Sequence, residues 1–127
     1  MTKAVFLRAV PYADDPLQLP VDDVESAIPY YERAFGFRVR ARLSEPHPGV
    51  ILVRDGIEIG LAQNGGDPTQ EGCFFEVDDL DAAFAELERN GAKPGIIDQQ
   101  DVDGVPYRAF FVVAPDGLCY MLGQPQR

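Results

Sequence analysis

Two segments of the chain carry the same order of hydrophobic and polar positions. Residues 21–28 (VDDVESAI) are repeated as residues 77–84 (VDDLDAAF), and each copy continues to a Glu-Arg pair and then to a glycine. Apolar residues recur at every third or fourth position of each copy, as in a helix with one buried face. Aspartate caps the first turn of a helix, and glycine suits the residue that ends one. The pattern therefore predicts two helices, which begin after the two aspartate pairs and end before Gly36 and Gly91.

Short runs rich in β-branched and aromatic residues flank both helices and predict strands. One strand precedes each helix and three follow it, with Asp55-Gly56 as a two-residue hairpin turn. The predicted strands cover residues 17–21, 37–43, 50–54 and 57–63 in the first half, and 73–77, 95–99, 107–113 and 118–123 in the second. The chain thus divides into two βαβββ modules, at about residues 5–65 and 71–124, within a single α+β domain of residues 1–127.

The beginning of module one admits two interpretations. In the first, residues 17–21 form its first strand and residues 4–10 add an extra strand. In the second, residues 4–10 are themselves the first strand, and residues 11–20 form a looped insertion. The alternation of residue types leaves both open.

The order of these motifs resembles the vicinal oxygen chelate superfamily, which includes glyoxalases, bleomycin resistance proteins and extradiol dioxygenases. The resemblance covers about residues 17–123 and rests on Val21-Asp22-Asp23-Val24, Tyr30-Tyr31, Phe35-Gly36-Phe37, Phe75-Glu76-Val77-Asp78-Asp79-Leu80, Asn90-Gly91 and Pro115-Asp116-Gly117. It implies two tandem modules that form a curved mixed sheet around a cup, with the helices outside and the ligand inside. It also implies a homodimer, because family members of this length complete the cup by pairing modules between chains.

Metal-dependent members of that superfamily hold their ion with side chains on the first and last strands of each module. The resemblance carries these positions to Pro16, Gly60, Gly72 and Met121, which offer no carboxylate or imidazole for a divalent ion. The single histidine, His47, lies in a proline-rich turn, where we expect a solvated surface residue. The resemblance thus implies the metal-free branch, whose members bind drugs such as bleomycin, and it implies no cofactor.

Strand parity predicts which side chains line the cup, because alternate residues of a strand share one face. One face of the first and last strands is almost wholly apolar and is expected to pack on the helices. The opposite face, with one arginine from the strand at 37–43, supplies the candidate ligand-binding residues: Gln18, Arg40, Glu58, Phe74, Glu76, Cys119 and Met121. Each of them also has a structural interpretation, as a core residue, a solvated carboxylate or, for Cys119, a small buried hydrophobe.

Arg38, Arg40 and Arg42 alternate with apolar residues and are expected to share one face of their strand. Such a row is either a solvated edge that resists aggregation or a cationic wall that pairs with a ligand carboxylate or phosphate. Three tyrosines are further candidates for the rim of the cup: Tyr12, Tyr30 and Tyr107.

Composition narrows the choice of partners. The 21 acidic residues outnumber the 11 basic ones and give a net charge of −10, which repels nucleic acid and anionic membrane surfaces. No apolar run approaches the roughly 20 residues of a membrane span, and we expect a cytoplasmic protein with reduced cysteines. Together with the resemblance, these features predict a cup that binds or sequesters a small hydrophobic or cationic molecule. The alternative is a metal-dependent lyase, isomerase or dioxygenase of the same superfamily, with ligands that the motif positions do not identify.

Overall fold

The computed structural model describes residues 4–11, 17–70 and 72–126. Among these residues lie two α-helices, α1 (Val24–Ala34) and α2 (Leu80–Arg89), with Asp23 and Asp79 as their N-caps. The Asp23 carboxylate accepts hydrogen bonds from two backbone N–H groups of the first turn, and Asp79 accepts one. These bonds satisfy donors that no helical carbonyl can reach. The predicted helices and caps are confirmed, and neither helix is long and apolar enough to cross a membrane.

The same residues contain nine strands and one short 3₁₀ helix. Their bounds are β1 (Phe6–Pro11), β2 (Leu19–Pro20), β3 (Arg38–Leu43), β4 (Gly49–Arg54), β5 (Ile57–Ala62), the 3₁₀ helix (Pro68–Gln70), β6 (Gly72–Val77), β7 (Asp98–Val102), β8 (Val105–Val113) and β9 (Cys119–Pro125). The strands form two sheets. Sheet A has the strand order β1-β6-β9-β8-β7, and sheet B has the order β2-β5-β4-β3.

Both halves of the chain have the same topology. In sheet B the first strand β2 runs parallel to β5, and in sheet A β6 runs parallel to β9. The remaining neighbours within each half are antiparallel, which completes the predicted βαβββ order of an α+β fold. β1 belongs to neither repeat, because it pairs antiparallel to β6 and extends sheet A to five strands. Of the two interpretations of the N-terminal region, the structure has β2 as the first strand of module one and β1 as the extra strand.

The strand predicted at residues 95–99 is displaced along the chain. β7 instead ends at Val102, because the hairpin to β8 turns at Asp103 and Gly104. Both turn residues have positive φ, 51° for Asp103 and 81° for Gly104, as a two-residue hairpin turn of this kind requires. The same Asp-Gly signal at residues 55–56 correctly predicted the β4–β5 turn, where φ is 52° and 85°.

One hydrophobic core, here called the shared core, contains the buried faces of both helices and one face of each sheet. At its centre the ring of Phe35 contacts the rings of Tyr31 and Phe37 from module one and of Phe75 and Tyr120 from module two. Eight of the ten strand residues predicted to face the helices are buried in it: Leu19, Ile59, Leu61, Phe75, Val77, Leu118, Tyr120 and Leu122. Ile57 is partly buried and packs against the shared core, and Leu17 is not a member of it. Each sheet keeps a second face, directed away from the shared core, which we call its open face.

A buried ion pair joins the two modules beside the shared core. The side chains of Arg54, at the end of β4, and Glu86, on α2, are only 7% and 4% exposed, and they form hydrogen bonds of 2.6 and 3.0 Å. Arg54 also donates to the backbone oxygens of Phe35 and Ala4 and to the carboxylate of Asp55. Burial alone lowers the pKa of Arg54, but the hydrogen bonds and charges of its two carboxylates outweigh this effect and raise it. Arg54 thus links α1, α2 and the start of the chain.

Candidate functional site

The open face of sheet A has a small apolar cluster of its own. Phe74, Tyr107, Ala109 and Met121 pack together, each at most 9% exposed, and Val102 packs against them. These residues come from four strands and are separate from the shared core. Two of the predicted ligand-binding residues, Phe74 and Met121, are therefore brought together on the face opposite the helices. We call this cluster the floor.

Exposed apolar side chains continue the floor towards solvent. Phe111 is 41% exposed and Val113 is 64% exposed, and both follow the floor residues of β8 at alternate positions, so they lie on the open face. Val10 on β1 is 36% exposed and lies opposite Phe74. The open face of sheet A is therefore an apolar surface with a buried middle and an exposed border.

The ring of Phe74 crosses β9 at a point where only glycine leaves room. A Cβ atom on Gly123 would lie 2.8 Å from Cε1 of Phe74, which is closer than such atoms approach. The ring also meets that of Tyr107 edge to face, with 5.4 Å between their centroids. The floor is therefore packed in place before any ligand binds.

A polar network borders the floor. Arg8 on β1 lies opposite Glu76 on β6, and its Nε donates to Oε1 of Glu76 at 2.8 Å. The hydroxyl of Tyr107 donates to the same oxygen at 3.0 Å and accepts from Nη2 of Arg8 at 3.3 Å. The hydrogen bond to Glu76 is the main cause of a raised pKa of Arg8. Because the guanidinium carbon is 5.8 Å from the ring centroid of Phe74, these three residues, the rim network, adjoin the floor directly.

A cavity of about 450 Å³ shares Glu76 with the rim network. Its walls are formed by Leu7, Glu76, Val77, Asp78, Gln124 and Pro125. Gln124 is held in place, because its side-chain oxygen accepts from Leu80 N and its side-chain nitrogen donates to the carbonyl of Asp78. A volume of this size is within the range of clefts that hold small organic molecules.

The open face of sheet B carries a second arginine–carboxylate pair. Nε of Arg40 lies 3.0 Å from Oε2 of Glu58. Further along β5, the backbone of Leu17 passes so close to Gly60 that a Cβ atom there would lie 2.3 Å from the Leu17 carbonyl oxygen. Position 60 therefore has no room for any side chain.

The prediction that Arg38, Arg40 and Arg42 share one face is wrong. A β-bulge within residues 39–41 inserts one residue into the alternation of β3. Arg40 consequently pairs with its carboxylate on the open face of sheet B, whereas Arg42 turns to the helix side and pairs with Glu25 of α1 at 3.0 Å. The three guanidinium groups do not form a single cationic wall.

A buried hydrogen-bonded group on the helix side escaped sequence reasoning. The hydroxyls of Tyr31 and Tyr120, both fully buried, are 2.6 Å apart, and Tyr31 donates to the carboxylate of Asp116 at 2.9 Å. Burial raises the pKa of both tyrosines well above the ordinary value, and it also raises the pKa of Asp116. Asp116 borders a smaller cavity, of about 240 Å³, whose wall includes Tyr30. Tyr30 is thus far from its predicted place at the rim, while Tyr107 lies in the rim network and Tyr12 is outside the described residues.

The sequence matches the model of the Glyoxalase/Bleomycin resistance protein/Dioxygenase superfamily over residues 14–118. The chain belongs to this superfamily. The match includes both helices and most of the strands of both modules, in agreement with the repeated pattern. A comparison with curated proteins finds no match.

Several solved structures share the fold of this chain. A bleomycin resistance determinant encoded on transposon Tn5 is 24% identical with a TM-score of 0.72, and the alignment covers 91% of this chain and 98% of that one. TnmS3, an antibiotic binding protein from Streptomyces sp. CB03234, is 21% identical with a TM-score of 0.66 and coverages of 90% and 97%. The fosfomycin resistance protein FosX from Listeria monocytogenes, in complex with Mn(II), is 15% identical with a TM-score of 0.59 and coverages of 88% and 89%. At these identities the likeness shows the fold alone.

The positions to which the resemblance carries the metal ligands do not fit an ion where the structure describes them. Position 60 has no room for a ligand, and Gly72 and Met121 offer no side-chain oxygen or nitrogen. Pro16, the fourth position, lies outside the described residues. Within the described ranges, no group of three or more histidine, cysteine, aspartate or glutamate side chains is placed to hold a metal ion. These residues provide no basis for a metal-dependent step.

The predicted ligand-binding residues divide between the two sheets. Phe74, Glu76 and Met121 lie in the floor and rim network of sheet A, and Cys119, two positions before Met121 on β9, shares its face. Arg40 and Glu58 lie on sheet B. Gln18 is exposed beside β2, where its backbone oxygen accepts from Asn64.

Arg8 is the site residue that sequence reasoning missed. A β-bulge between Phe6 and Arg8 interrupts the alternation of β1, so that Phe6 enters the shared core while Arg8 lies on the open face. An unbroken strand would place both side chains on one face. The available signal was that Arg8 is the only charged residue in the otherwise apolar run of residues 4–10.

The thiols and the histidine complete the inventory of reactive groups. Burial raises the pKa of Cys119, which fits its interpretation as a small hydrophobe, and it raises the pKa of Cys73 to about 12. His47 lies in a turn as predicted, but it is not fully solvated. Its Nε2 is enclosed and has no hydrogen-bond partner among the described residues.

Proposed function

We propose that the protein binds a small hydrophobic molecule on the open face of sheet A, without the help of a metal. The observation that carries this proposal is the exposed apolar border of Val10, Phe111 and Val113 around the packed floor. Soluble proteins rarely leave a contiguous apolar surface uncovered unless something binds there. Of the two ligand types that the sequence suggests, hydrophobic and cationic, the floor favours the first.

Binding on this face needs affinity and no reaction. Removal of apolar surface from water contributes about 25 cal/mol per Å², so a flat molecule that covers the floor is held by its own hydrophobic area. Because Phe74 already lies against Tyr107 and over Gly123, little side-chain order has to be created on binding. The names of two structural neighbours, an antibiotic binding protein and a bleomycin resistance determinant, support a role in sequestration.

We further propose that a second copy of the chain completes the cup. Large apolar side chains are exposed on the open faces of both sheets, Phe111 and Val113 on sheet A and Leu43 on sheet B. Both open faces are directed away from the shared core, so one chain does not cover them with its own core elements. The proposed location is the cytoplasm, where the free thiols of Cys73 and Cys119 stay reduced.

A ligand screen tests the binding role. Thermal unfolding is measured with a panel of aromatic compounds that includes bleomycin-type antibiotics, and a ligand present at about 100 times its Kd is expected to stabilise the protein by about 2.7 kcal/mol. Phe111→Ser is expected to weaken binding of any hit. Ile96→Ser is the matched control, because Ile96 is 85% exposed but lies between α2 and β7, outside both sheets. If no compound stabilises the protein, or if the two variants behave alike, the proposal is wrong.

Light scattering and elemental analysis test the other two parts. A homodimer is expected to have twice the chain mass of 14.0 kDa, and Val113→Glu is expected to dissociate it. A mass of one chain at every concentration contradicts the dimer. Stoichiometric metal in protein purified without an affinity tag contradicts the metal-free proposal.

A further inference from the structure

We infer that Arg8 selects the polar group of the ligand and that this group is a carboxylate carried by an aromatic body. The inference rests on the proposed binding at the open face of sheet A. It goes beyond that proposal because it names the ligand class and assigns the choice to a residue of β1, which belongs to neither βαβββ module.

Arg8 is the more exposed partner of the ion pair within the rim network. The side chain of Glu76 is 16% exposed, whereas that of Arg8 is 51% exposed. Oε1 of Glu76 already accepts from two donors, Nε of Arg8 and the hydroxyl of Tyr107. On the open face, a ligand that approaches the network from solvent therefore has more of the guanidinium group than of the carboxylate within reach.

After its contacts within the rim network, Arg8 still has N–H donors that suit a carboxylate. An arginine side chain has five N–H donors, and its two Nη atoms form a fork that matches a carboxylate. The contacts within the network use Nε and one donor of Nη2, and Nη1 donates to none of the described residues. Since the guanidinium carbon is 5.8 Å from the centroid of Phe74, an aromatic ring on the floor can place its carboxylate against this fork.

In the ion pair on sheet B, the arginine is again more exposed than the carboxylate. Arg40 is 58% exposed and its partner Glu58 is 35% exposed. Each predicted cup carboxylate is thus paired with an arginine that is the more exposed partner. At these two points the more exposed charged group of each open face is therefore a guanidinium, although each ion pair as a whole is neutral.

Three naphthalene probes that differ in one group test the inference: 2-naphthoate, 2-naphthylmethanol and 2-naphthylmethylammonium. Affinities are measured by calorimetry at about 0.15 M ionic strength, where the Debye length of about 8 Å screens the net charge of −10. Wild-type protein is expected to bind 2-naphthoate about tenfold or more tighter than the ammonium probe. Arg8→Gln is expected to remove this preference and to leave the affinity for 2-naphthylmethanol within about twofold.

Two further variants separate charge, fork geometry and fold. Arg8→Lys keeps the charge without the fork, so it is expected to retain only part of the preference for 2-naphthoate. Arg108→Gln is the matched control, because Arg108 lies on β8 of the same sheet but pairs with Asp81 of α2 on the helix side at 3.1 Å. It is expected to bind all three probes as the wild type does.

The outcomes distinguish this inference from the proposed function. If naphthalene probes bind but the ammonium compound binds as tightly as 2-naphthoate, or if both Arg8 variants keep the full preference, the role of Arg8 is overturned while the binding site stands. If none of the probes binds, the proposed binding site itself fails, and the inference fails with it.

Discussion

Replacing Glu86 with glutamine preserves the shape of the side chain but removes the charge that Arg54 faces inside the protein. In the native structure Glu86 accepts hydrogen bonds from both Nη atoms of Arg54, at 2.6 and 3.0 Å. The Arg54 side chain is 7% exposed, so water cannot take the place of the lost partner. We expect E86Q to have a markedly lower free energy of unfolding.

The structure sets the size of this effect. Removing one partner of a buried ion pair costs about 3–5 kcal/mol, because the other charge stays buried without its counter-ion. Asp55 and two backbone oxygens still accept from Arg54, which places the expected loss near about 3 kcal/mol. In a domain of this size such a loss lowers Tm by about 10 °C.

Urea unfolding followed by circular dichroism measures the free energy and its slope with denaturant. E25Q is the matched control, because Glu25 also pairs with an arginine, Arg42, but the two side chains are 67% and 57% exposed. The loss for E25Q is expected to be much smaller, because an ion pair between two exposed side chains contributes little to stability. Equal losses in the two variants would refute the reasoning that burial makes the Arg54–Glu86 pair strong.

Three further predictions concern other positions. Gly60→Ala places a methyl group 2.3 Å from the carbonyl oxygen of Leu17, and a loss of about 1–3 kcal/mol is expected in urea unfolding. The pKa of the Asp116 carboxyl is raised by burial, so the folded protein holds that proton more tightly than the unfolded chain does. The free energy of unfolding should therefore fall as pH rises from the ordinary value of 3.8 through the raised pKa, and D116N should lack this fall in a pH series. A thiol reagent at about pH 8 should modify Cys119 faster than Cys73, whose pKa is about 12 and which is fully buried, as mass spectrometry can follow.

Each of these predictions has a control and a contradicting result. Gly95→Ala is the control for Gly60→Ala and is expected to lose little stability, because its Cβ would lie 3.4 Å from the nearest atom. If Gly60→Ala is as stable as Gly95→Ala, the close approach of Leu17 to Gly60 is contradicted. D101N changes an exposed carboxyl of β7 that does not border the cavity beside Asp116, and it should keep the pH dependence. If the stability of D116N depends on pH as that of the wild type does, the burial of Asp116 has been misjudged. If the thiol reagent labels Cys73 and Cys119 at the same rate, the burial of Cys73 has been misjudged.

Local signals in the sequence were sufficient for most of the fold. The aspartate caps and the apolar stripes predicted α1 and α2, because a helix start is decided by hydrogen bonds within one turn. The duplicated order of elements predicted both βαβββ units. The same type of signal was overlooked at Asp103-Gly104, which is why the strand before it was displaced.

Alternation along a strand predicted the site only where the strand was regular. It correctly assigned Phe74 and Met121 to one face, since β6 and β9 pair without interruption. It failed for Arg42 and gave no indication of Arg8, because a bulge in each strand adds one residue and exchanges the faces beyond it.

The sequence by itself determined the helices and most of the strands, and it showed that the chain is duplicated. It also showed that the expected metal positions have no carboxylate or imidazole. All of these depend on residue types and short spacings. Only the tertiary structure decided that Arg8 meets Glu76 and Tyr107 on one face, and that Arg54 meets Glu86 in the interior. The physical reason is the distance along the chain over which each interaction acts. Caps, turns and alternation act over a few residues. Ion pairs and exposure depend on how strands and helices that are distant in sequence pack together. Which charged group a ligand can reach is therefore decided on the folded surface, where Arg8 is more exposed than its partner Glu76.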